Sequence, residues 1–395
     1  AGHRRRARFR PAADGGLVKV ILTILLLLLA LALVFFAQKL LFRRFWDRNL
    51  EVRIEFDREY VFCGEDANLT ETIVNNKYLP LPVLEVGFDM SRFLAFREED
   101  NSMVSDMTYR RDIFTASFKQ RITRTLPFQA KKRGYYRIAS TTVSSLDFLM
   151  QDKLVTHIPQ STEVYVLPAR MPAEQIRIPY SKIMGMLVSR RRVYDDPFEF
   201  AGIRDYRRTD PMKHINWKAS ARNGSLLVNL HESTLSQKVV LLLDCEGAGS
   251  ASVDTLNEVS ISIAAALAAR MLQDGISVTI LSNGADVLTE KPLCTGELTG
   301  RSTALHVRRQ LARLVCRKGL LPMETLLRAE LERSGKENNL YVLISKEQKQ
   351  HLLPALEALA GGHEAVWILP EDRNMPERHK MTETSRHVDI VRWSV

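Results

Sequence analysis

The sequence predicts an α+β chain of several domains: one transmembrane helix, an antiparallel β-sandwich-like domain, and an α/β domain built on an open, mainly parallel sheet. Three observations carry this reading. An apolar run of about 20 residues near the N-terminus matches the hydrocarbon thickness of a bilayer. Residues 50–168 alternate apolar and polar side chains with period two. From residue 238 onward, short apolar strands alternate with helical patterns. The 395 residues leave room for two or three domains. With 45% hydrophobic and 26% charged residues, most of the chain can fold around real cores.

Residues 1–16 form a basic tail containing Arg4, Arg5, Arg6, Arg8 and Arg10. A formal net charge of +10 suits an anionic partner such as nucleic acid, a membrane surface or an acidic protein. Part of that excess is local, however, and basic charge beside a membrane span is ordinarily a topology signal. The span covers residues 17–42 and reads "LVKVILTILLLLLALALVFFAQKLL" from Leu17 to Leu41. Only Lys19, Gln38 and Lys39, near its ends, interrupt it. It has no polar face, as a buried core helix would. It is longer than a signal-peptide core and leads into "RRFWDR" rather than a small-residue cleavage site. We read it as a single uncleaved anchor, with Phe45 and Trp46 suited to the interface. Basic residues flank both ends in similar number, so the charges give no orientation. The cysteines Cys63, Cys245, Cys294 and Cys316 form no CxxC and read as unpaired thiols.

In the sandwich-like domain, 50–168, the strand candidates are "LEVRIEF", "ANLTETIVNN", "LPVLEVGFDM", "IFTASFKQRITRTLPF", "GYYRIASTTVSSLDF" and "STEVYVLP". Turn residues such as "CGED", "NNK" and "KKRG" separate them. Nothing there has catalytic spacing, and the lone His157 reads as structural or surface.

Residues 169–237 read as a connector. Its first part, 169–203, is less regular and mixes a basic with an acidic run in "SRRRVYDDPFEF"; a solvated connector and an ordered segment carry equal weight. The stretch "RDYRRTDPMKHINWKASARNG" at 204–224 is sharper. Asp210 followed by Pro211 is a helix start, and Asn223-Gly224 is a stop. A helix is therefore expected over 211–222, burying Met212, Ile215 and Ala219 on one face. Lys213 and Trp217 stand at i, i+4, which would lay the lysine over the indole; a buried indole makes the segment a structural element that holds the domains in register, the favoured reading, and otherwise it is an interface element. "GIRDYRR" upstream and "SLLVNLHE" downstream read as extended. Asp195, Asp196, Glu199, Asp205 and Asp210 lie among the arginines, which favours internal ion pairs over an anion site. A nucleic-acid interface needs a cleaner basic surface, and a metal nuclease needs convergent carboxylates.

Residues 238–395 open on "KVVLLLDC", a central-strand pattern ending at Asp244. A helix ending at Gly275 follows, then the strand "ISVTILSNG", helices near 301–317 and 321–334, the strand "NLYVLISK", the helix "EQKQHLLPALEALAG", and the strands "EAVWILPE" and "HVDIVRWSV". No phosphate-binding glycine motif and no G-x-S-x-G nucleophile elbow occurs. His231, Glu232 and Ser233 are consecutive and point to alternate faces, so they form no triad. A strand ending in Asp before a long helix resembles the von Willebrand A domain, where D-x-S-x-S supplies hard oxygen ligands for Mg²⁺. Here the positions are Asp244, Glu246 and Ala248. The resemblance implies at most a degenerate Mg²⁺ site on Asp244 and Glu246.

The order Arg204-x-Tyr206, Asp210, Lys213, Ile215, Trp217, Ser220-Ala221-Arg222 and then "LLV" resembles the signature of a bacterial family catalogued as domain of unknown function fifty-eight. The family pattern reads roughly R-x-Y-x-x-G-D-x-x-R-x-I-x-W-x-x-S-A-R; Thr209 and Lys213 depart from it. Gly64-Glu65 and "RGYY" at 133–136 are similar too. The resemblance implies a membrane-bound, non-enzymatic partner of a MoxR-type AAA+ ATPase, found alongside transglutaminase-like membrane proteins, with the soluble part in the cytoplasm. Family members with two spans differ from this chain's one, which leaves an external domain open. The expected function is a membrane-anchored interaction protein without cofactor and without nucleic acid. Two rivals stand beside it: a nucleic-acid-binding protein or nuclease using residues 190–222, and a metal-dependent adhesion-type receptor using Asp244 and Glu246.

Overall fold

A computed structural model describes residues 14–97, 102–104, 107–193, 200–207, 210, 212–231, 238–247, 251–317, 320–334, 339–345, 350–361, 364–371, 385 and 387–394. The basic residues of the tail, Asp195, Asp196, Glu199, Thr209, Pro211, Glu232, Ser233 and Ala248 lie outside the described residues. Two compact units emerge. The first holds residues 1–59, 66–129 and 136–163; the second holds 60–65, 130–135 and 164–395.

The first unit begins with helix α1 (Asp14–Phe45), whose stretch Lys19–Phe45 is long and apolar enough to cross a membrane, with a mean hydropathy of 3.2. Strands β1 (Leu50–Phe56), β2 (Tyr60–Phe62), β3 (Asp66–Asn75), β4 (Leu81–Ser91), β5 (Leu94–Phe96), β6 (Ser102–Val104), β7 (Met107–Ala116), β8 (Gln120–Ala130), β9 (Gly134–Leu146) and β10 (Lys153–Leu167) follow in the chain, with β2 and the last residues of β10 counted in the second unit. They make two sheets, ordered β1-β3-β8-β5 and β2-β10-β9-β4-β7-β6. The alternation read from the sequence is visible as burial: in β1, Val52 and Ile54 are buried while Glu51 and Arg53 are exposed. The stretch "IFTASFKQRITRTLPF" is two strands rather than one, because the chain turns at 117–119 with Lys119 at φ 49°. Between the strands lies a charged cluster: the Arg110 Nε donates to Asp112 at 2.6 Å, and the Arg124 Nη1 donates to the same carboxylate at 2.7 Å. Glu71 is buried beside it, and burial, reinforced by Asp112, pushes its pKa up to about 7.

The second unit contains helix α2 (Ala173–Val193), the small sheet of β11 (Phe200–Asp205) and β12 (Leu227–His231) with helix α3 (Trp217–Asn223) between them, and then an α/β layer. Its elements are β13 (Lys238–Leu243), α4 (Ala251–Gln273), β14 (Ser277–Asp286), β15 (Pro292–Cys294), α5 (Ala304–Arg313), β16 (Leu314–Val315), α6 (Met323–Ser334), β17 (Leu340–Ile344), α7 (Leu353–Ala360), β18 (Ala365–Glu371) and β19 (Val388–Ser394). The sheet order is β15-β14-β13-β17-β18-β19, with β16 paired to β14. Strands β14, β13, β17, β18 and β19 run parallel, whereas β15 and β16 are antiparallel to β14. Odd residues of β13 (Val239, Leu241, Leu243) join a core with α2, α4 and α5. Even residues (Val240, Leu242) join one with α6 and α7. Helices therefore cover both faces, as a continuous apolar strand demands. Helix α4 is also apolar enough to span a bilayer, but it is largely buried and serves as a core helix.

The connector reading fails for residues 173–193. Helix α2 buries Ile176, Ile183, Met186 and Leu187 in the α/β core. Its internal Pro179 and its basic end obscure the helical spacing in the sequence. The Lys182 Nζ donates to Asp389 of β19 at 2.9 Å, and the Tyr180 hydroxyl donates to Asp274.

Candidate functional site

Two places gather the residues that the sequence singles out. The first is the signature segment. Strands β11 and β12 pair antiparallel, with Arg204 opposite Val228 and Asp205 opposite Leu227. The Tyr206 N–H donates to the Leu226 carbonyl at 2.9 Å, which continues that pairing past the strand, and the half-buried ring lies beside it. Arg204 grips Asp210 with both guanidinium ends, at 2.6 and 2.7 Å, and the Arg207 N–H donates to the same carboxylate at 2.8 Å. These bonds hold the Asp210 pKa down to about 2, with Arg204 the main cause.

Asp210 is therefore a tie between β11 and the following turn, not a helix cap. Residues Met212–His214 form a 3₁₀ turn, and the α-helix starts only at Trp217. Its cap is Asn216, whose Oδ1 accepts from the Ala219 N–H at 2.9 Å while its Nδ2 donates to Asn229 of β12 at 2.7 Å. The Ser220 Oγ donates to the Asn216 carbonyl at 2.8 Å and accepts from the Leu227 N–H at 2.9 Å. Gly224, at φ 70°, ends the helix, as the Asn-Gly stop requires.

The expected packing is half right. Ile215 is buried, bridging to Val228, but Met212 is 69% exposed and Trp217 is 64% exposed. The helix starts too late to put them on the inner face, and among the described residues no cation lies over the Trp217 ring. Lys213, Lys218 and Arg222 are exposed as well. The signature thus splits into a frame (Arg204, Tyr206, Asp210, Ile215, Asn216, Ser220) and an outward face (Met212, Lys213, Trp217, Lys218, Arg222).

The second place is the carboxyl end of the parallel sheet. The order β14-β13-β17 reverses the sheet's direction of winding between β13 and β17, where such folds place their ligands. Asp244 follows β13 there and is 1% exposed. Its Oδ2 accepts from Ser345, the residue after β17, at 2.8 Å. Its Oδ1 accepts from the Glu246 N–H at 3.0 Å and from Asn283 Nδ2 at 3.2 Å. The Glu246 Oε1 accepts from the Met323 N–H at 2.5 Å and so caps the start of α6. A Mg²⁺ ion wants several convergent hard oxygens. Here Glu246 is turned onto a helix terminus and Asp244 is ringed by donors. Among the described residues no group of three His, Cys, Asp or Glu side chains could hold a metal. Among the described residues the donor set does not fit Mg²⁺.

Beside Asp244 lies Cys245, whose thiol pKa is raised well above its usual value by hydrogen bonding to Cys316 and by burial. Nearby, Arg133 of the "RGYY" stretch is buried; its Nη1 donates to the carbonyls of Leu311, Ala312 and Leu314 at the end of α5, at 2.6–3.1 Å. Its other nitrogens grip Glu258 of α4 at 2.9 and 3.0 Å. Burial opposes its charge, but Glu258 more than offsets this and holds its pKa above the ordinary value. No local pattern singles out Asn283, Ser345 or Glu258, whereas Asn216 carries a local signal as a capping residue three before Ala219.

Residues 202–387 match the family model described as protein of unknown function DUF58. No curated protein matches the sequence. Among solved structures, the CARDB domain of a Pyrococcus furiosus protein is 11% identical, with 29% of this chain and 93% of that one covered and a TM-score of 0.19. A type I cohesin–dockerin complex from Clostridium thermocellum is 9% identical, covering 29% and 99%, with a TM-score of 0.21. Scores this low equate neither fold nor function.

Proposed function

We propose, from the premise that the chain belongs to the DUF58 family of proteins of unknown function, that it is a membrane-anchored, non-enzymatic interaction protein. In this reading the outward face of its signature segment docks an acidic protein surface. The observation that carries this is the exposure of Trp217. A short helix held by Asn216 and Ser220, and a turn held by Arg204 and Asp210, present an indole and a thioether among Lys213, Lys218 and Arg222. Large apolar side chains ringed by charge are typical binding anchors. The hydrogen bonds of Asp244 and Glu246 support the non-enzymatic part of the reading, because both carboxylates already accept from neighbouring donors.

The MoxR-type AAA+ ATPase that the family resemblance implies is the partner to test, with a transglutaminase-like membrane protein second and the soluble part on the cytoplasmic side. Helix α1 supports the membrane anchor by length and hydropathy. The sheet order, with one antiparallel edge strand at β15, supports the von Willebrand A-like reading of the second unit. Binding of the full chain, held in lipid nanodiscs, to such an ATPase tests the proposal. Trp217→Ser should weaken it at least tenfold, on the order of 2 kcal/mol for an aromatic anchor, while leaving the unfolding temperature unchanged. Unchanged affinity would remove this face from the interaction. Steeply salt-dependent binding to DNA or RNA by the same chain would instead favour the nucleic-acid rival.

A further inference from the structure

Among the described residues of the first unit, one end of the β-sandwich carries five exposed large apolar side chains on neighbouring loop tips. The register of the strands defines that end. Leu50 at the start of β1 lies opposite Asn75 at the end of β3, which lies opposite Gln120 at the start of β8. Leu81 at the start of β4 lies opposite Ala116 at the end of β7, and Val83 lies opposite Leu146 at the end of β9. The loops β3–β4, β7–β8 and β9–β10 therefore emerge together, on the side where α1 enters. Their tips are Tyr78, 77% exposed, Phe118, 63% exposed, and the run Phe148-Leu149-Met150. Lys119 and Met150, at φ 49° and 56°, sit in tight left-handed turns that set these tips, an arrangement that costs backbone energy.

Helix α1 fixes how high these loops reach. From Lys19 to Val34 it is exposed all round. Then Phe35, Gln38, Lys39, Phe42 and Trp46 become covered at helical spacing, and Phe42 and Trp46 enter the sandwich core. The contacts are with the β9–β10 loop: the Lys39 Nζ lies 2.8 Å from Asp152, and the Phe42 and Phe148 rings meet edge to face at 5.4 Å. A hydrocarbon core about 30 Å thick takes about 20 helical residues. Counted from Val20, it ends near Lys39. The loop that clasps Lys39 and Phe42 is therefore level with the lipid headgroups, and its apolar tip has no other wall of protein to meet among the described residues of its own unit.

We propose that this end of the sandwich is a membrane-docking surface, with Tyr78, Phe118 and Phe148–Met150 inserted among the headgroups and upper acyl chains of the leaflet that α1 exits. Tyrosine, phenylalanine and methionine at a level edged by the exposed Arg43, Arg44, Arg48 and Lys119 suit that boundary, and anionic headgroups suit the cations. The Lys119 Nζ lies 4.8 Å from the Tyr78 ring, which keeps a cation at the same depth as the aromatic tip. The sandwich would then be clasped to the bilayer surface at several points rather than tethered by α1 alone.

The inference rests on the reading of α1 as a membrane span, and the test separates the two. The full-length chain is reconstituted in nanodiscs containing a phospholipid with a photoreactive diazirine high in its acyl chain. Adducts are mapped by peptide mass spectrometry. Adducts on α1 and on residues 117–119 and 148–150, with none on the turn at 91–93 at the opposite end of the sandwich, are the expected result. A variant carrying Phe148→Ser and Met150→Ser should lose the 148–150 adducts and keep those on α1. Adducts on α1 with the loops unlabelled would overturn the docking surface while leaving the span standing; the loops would then face water or another protein. No adducts on α1 would overturn the span and this inference with it.

Discussion

The signature segment and the carboxyl end of the parallel sheet hold similar residues, yet they use them in opposite ways. At Asp244 the described polar groups turn inward: Ser345, Asn283 and the Glu246 N–H converge on one carboxylate, and Glu246 itself closes the start of α6. In the signature segment the ion pair and the capping amide are also internal, but the helix they anchor turns Trp217 and three cations outward. A fixed pattern of residue types can therefore be a closed frame or a displayed face. The helix start decides which, because a shift of the N-cap from Asp210 to Asn216 rotates every later side chain.

The largest expected effect lies on the closed side. Asp244→Ala strips Ser345 and Asn283 of their buried acceptor and should cost about 3 kcal/mol or more in denaturant unfolding. A cost below 1 kcal/mol would mean the network is not closed. Glu71 in the first unit is a buried carboxylate without such donors. Its raised pKa means the folded state binds the proton more tightly. Stability should therefore be highest below the ordinary glutamate value and fall as pH rises from about 4.5 to about 7, by about 3 kcal/mol in all. Glu71→Gln should accordingly raise the unfolding temperature at pH 8 and leave it nearly unchanged at pH 4.5. Asn216→Ala removes a cap and should cost about 1 kcal/mol. Trp217→Ala should cost no more than about 0.5 kcal/mol, as an exposed position does. A buried indole would cost about 3 kcal/mol or more, so thermal unfolding separates the two cases cleanly.

Much of the fold was legible because it rests on local periodicity. Val52 and Ile54 alternate with charges in β1, and β13 is apolar throughout because helices cover both its faces. Helix α2 was hidden because Pro179 and a basic end interrupt its stripe, while its partners lie far along the chain, in α4 (Ala251–Gln273) and, 207 residues from Lys182, at Asp389 in β19. The site was less legible for the same reason. The Arg204–Asp210 pair is local and follows from interleaved charges. Asp244 meets Ser345 across 101 residues and Arg133 meets Glu258 across 125, and no spacing rule reaches that far. Trp217 was misplaced because an Asp-Pro pair looks like a helix start, whereas Arg204 and the Arg207 N–H claim that carboxylate first.

The central claim, that the signature is a frame displaying Trp217, is open to direct measurement. The full chain in nanodiscs is labelled with 5-fluorotryptophan, and the Trp217 signal is identified by its loss in Trp217→Phe. Trp367 and Trp46, 0% and 4% exposed, serve as internal references. The expected result is that a soluble paramagnetic gadolinium chelate broadens the Trp217 fluorine signal, leaves those of Trp367 and Trp46 sharp, and loses access to Trp217 when the acidic partner is added. A Trp217 signal as protected as that of Trp367 in the isolated protein would contradict it.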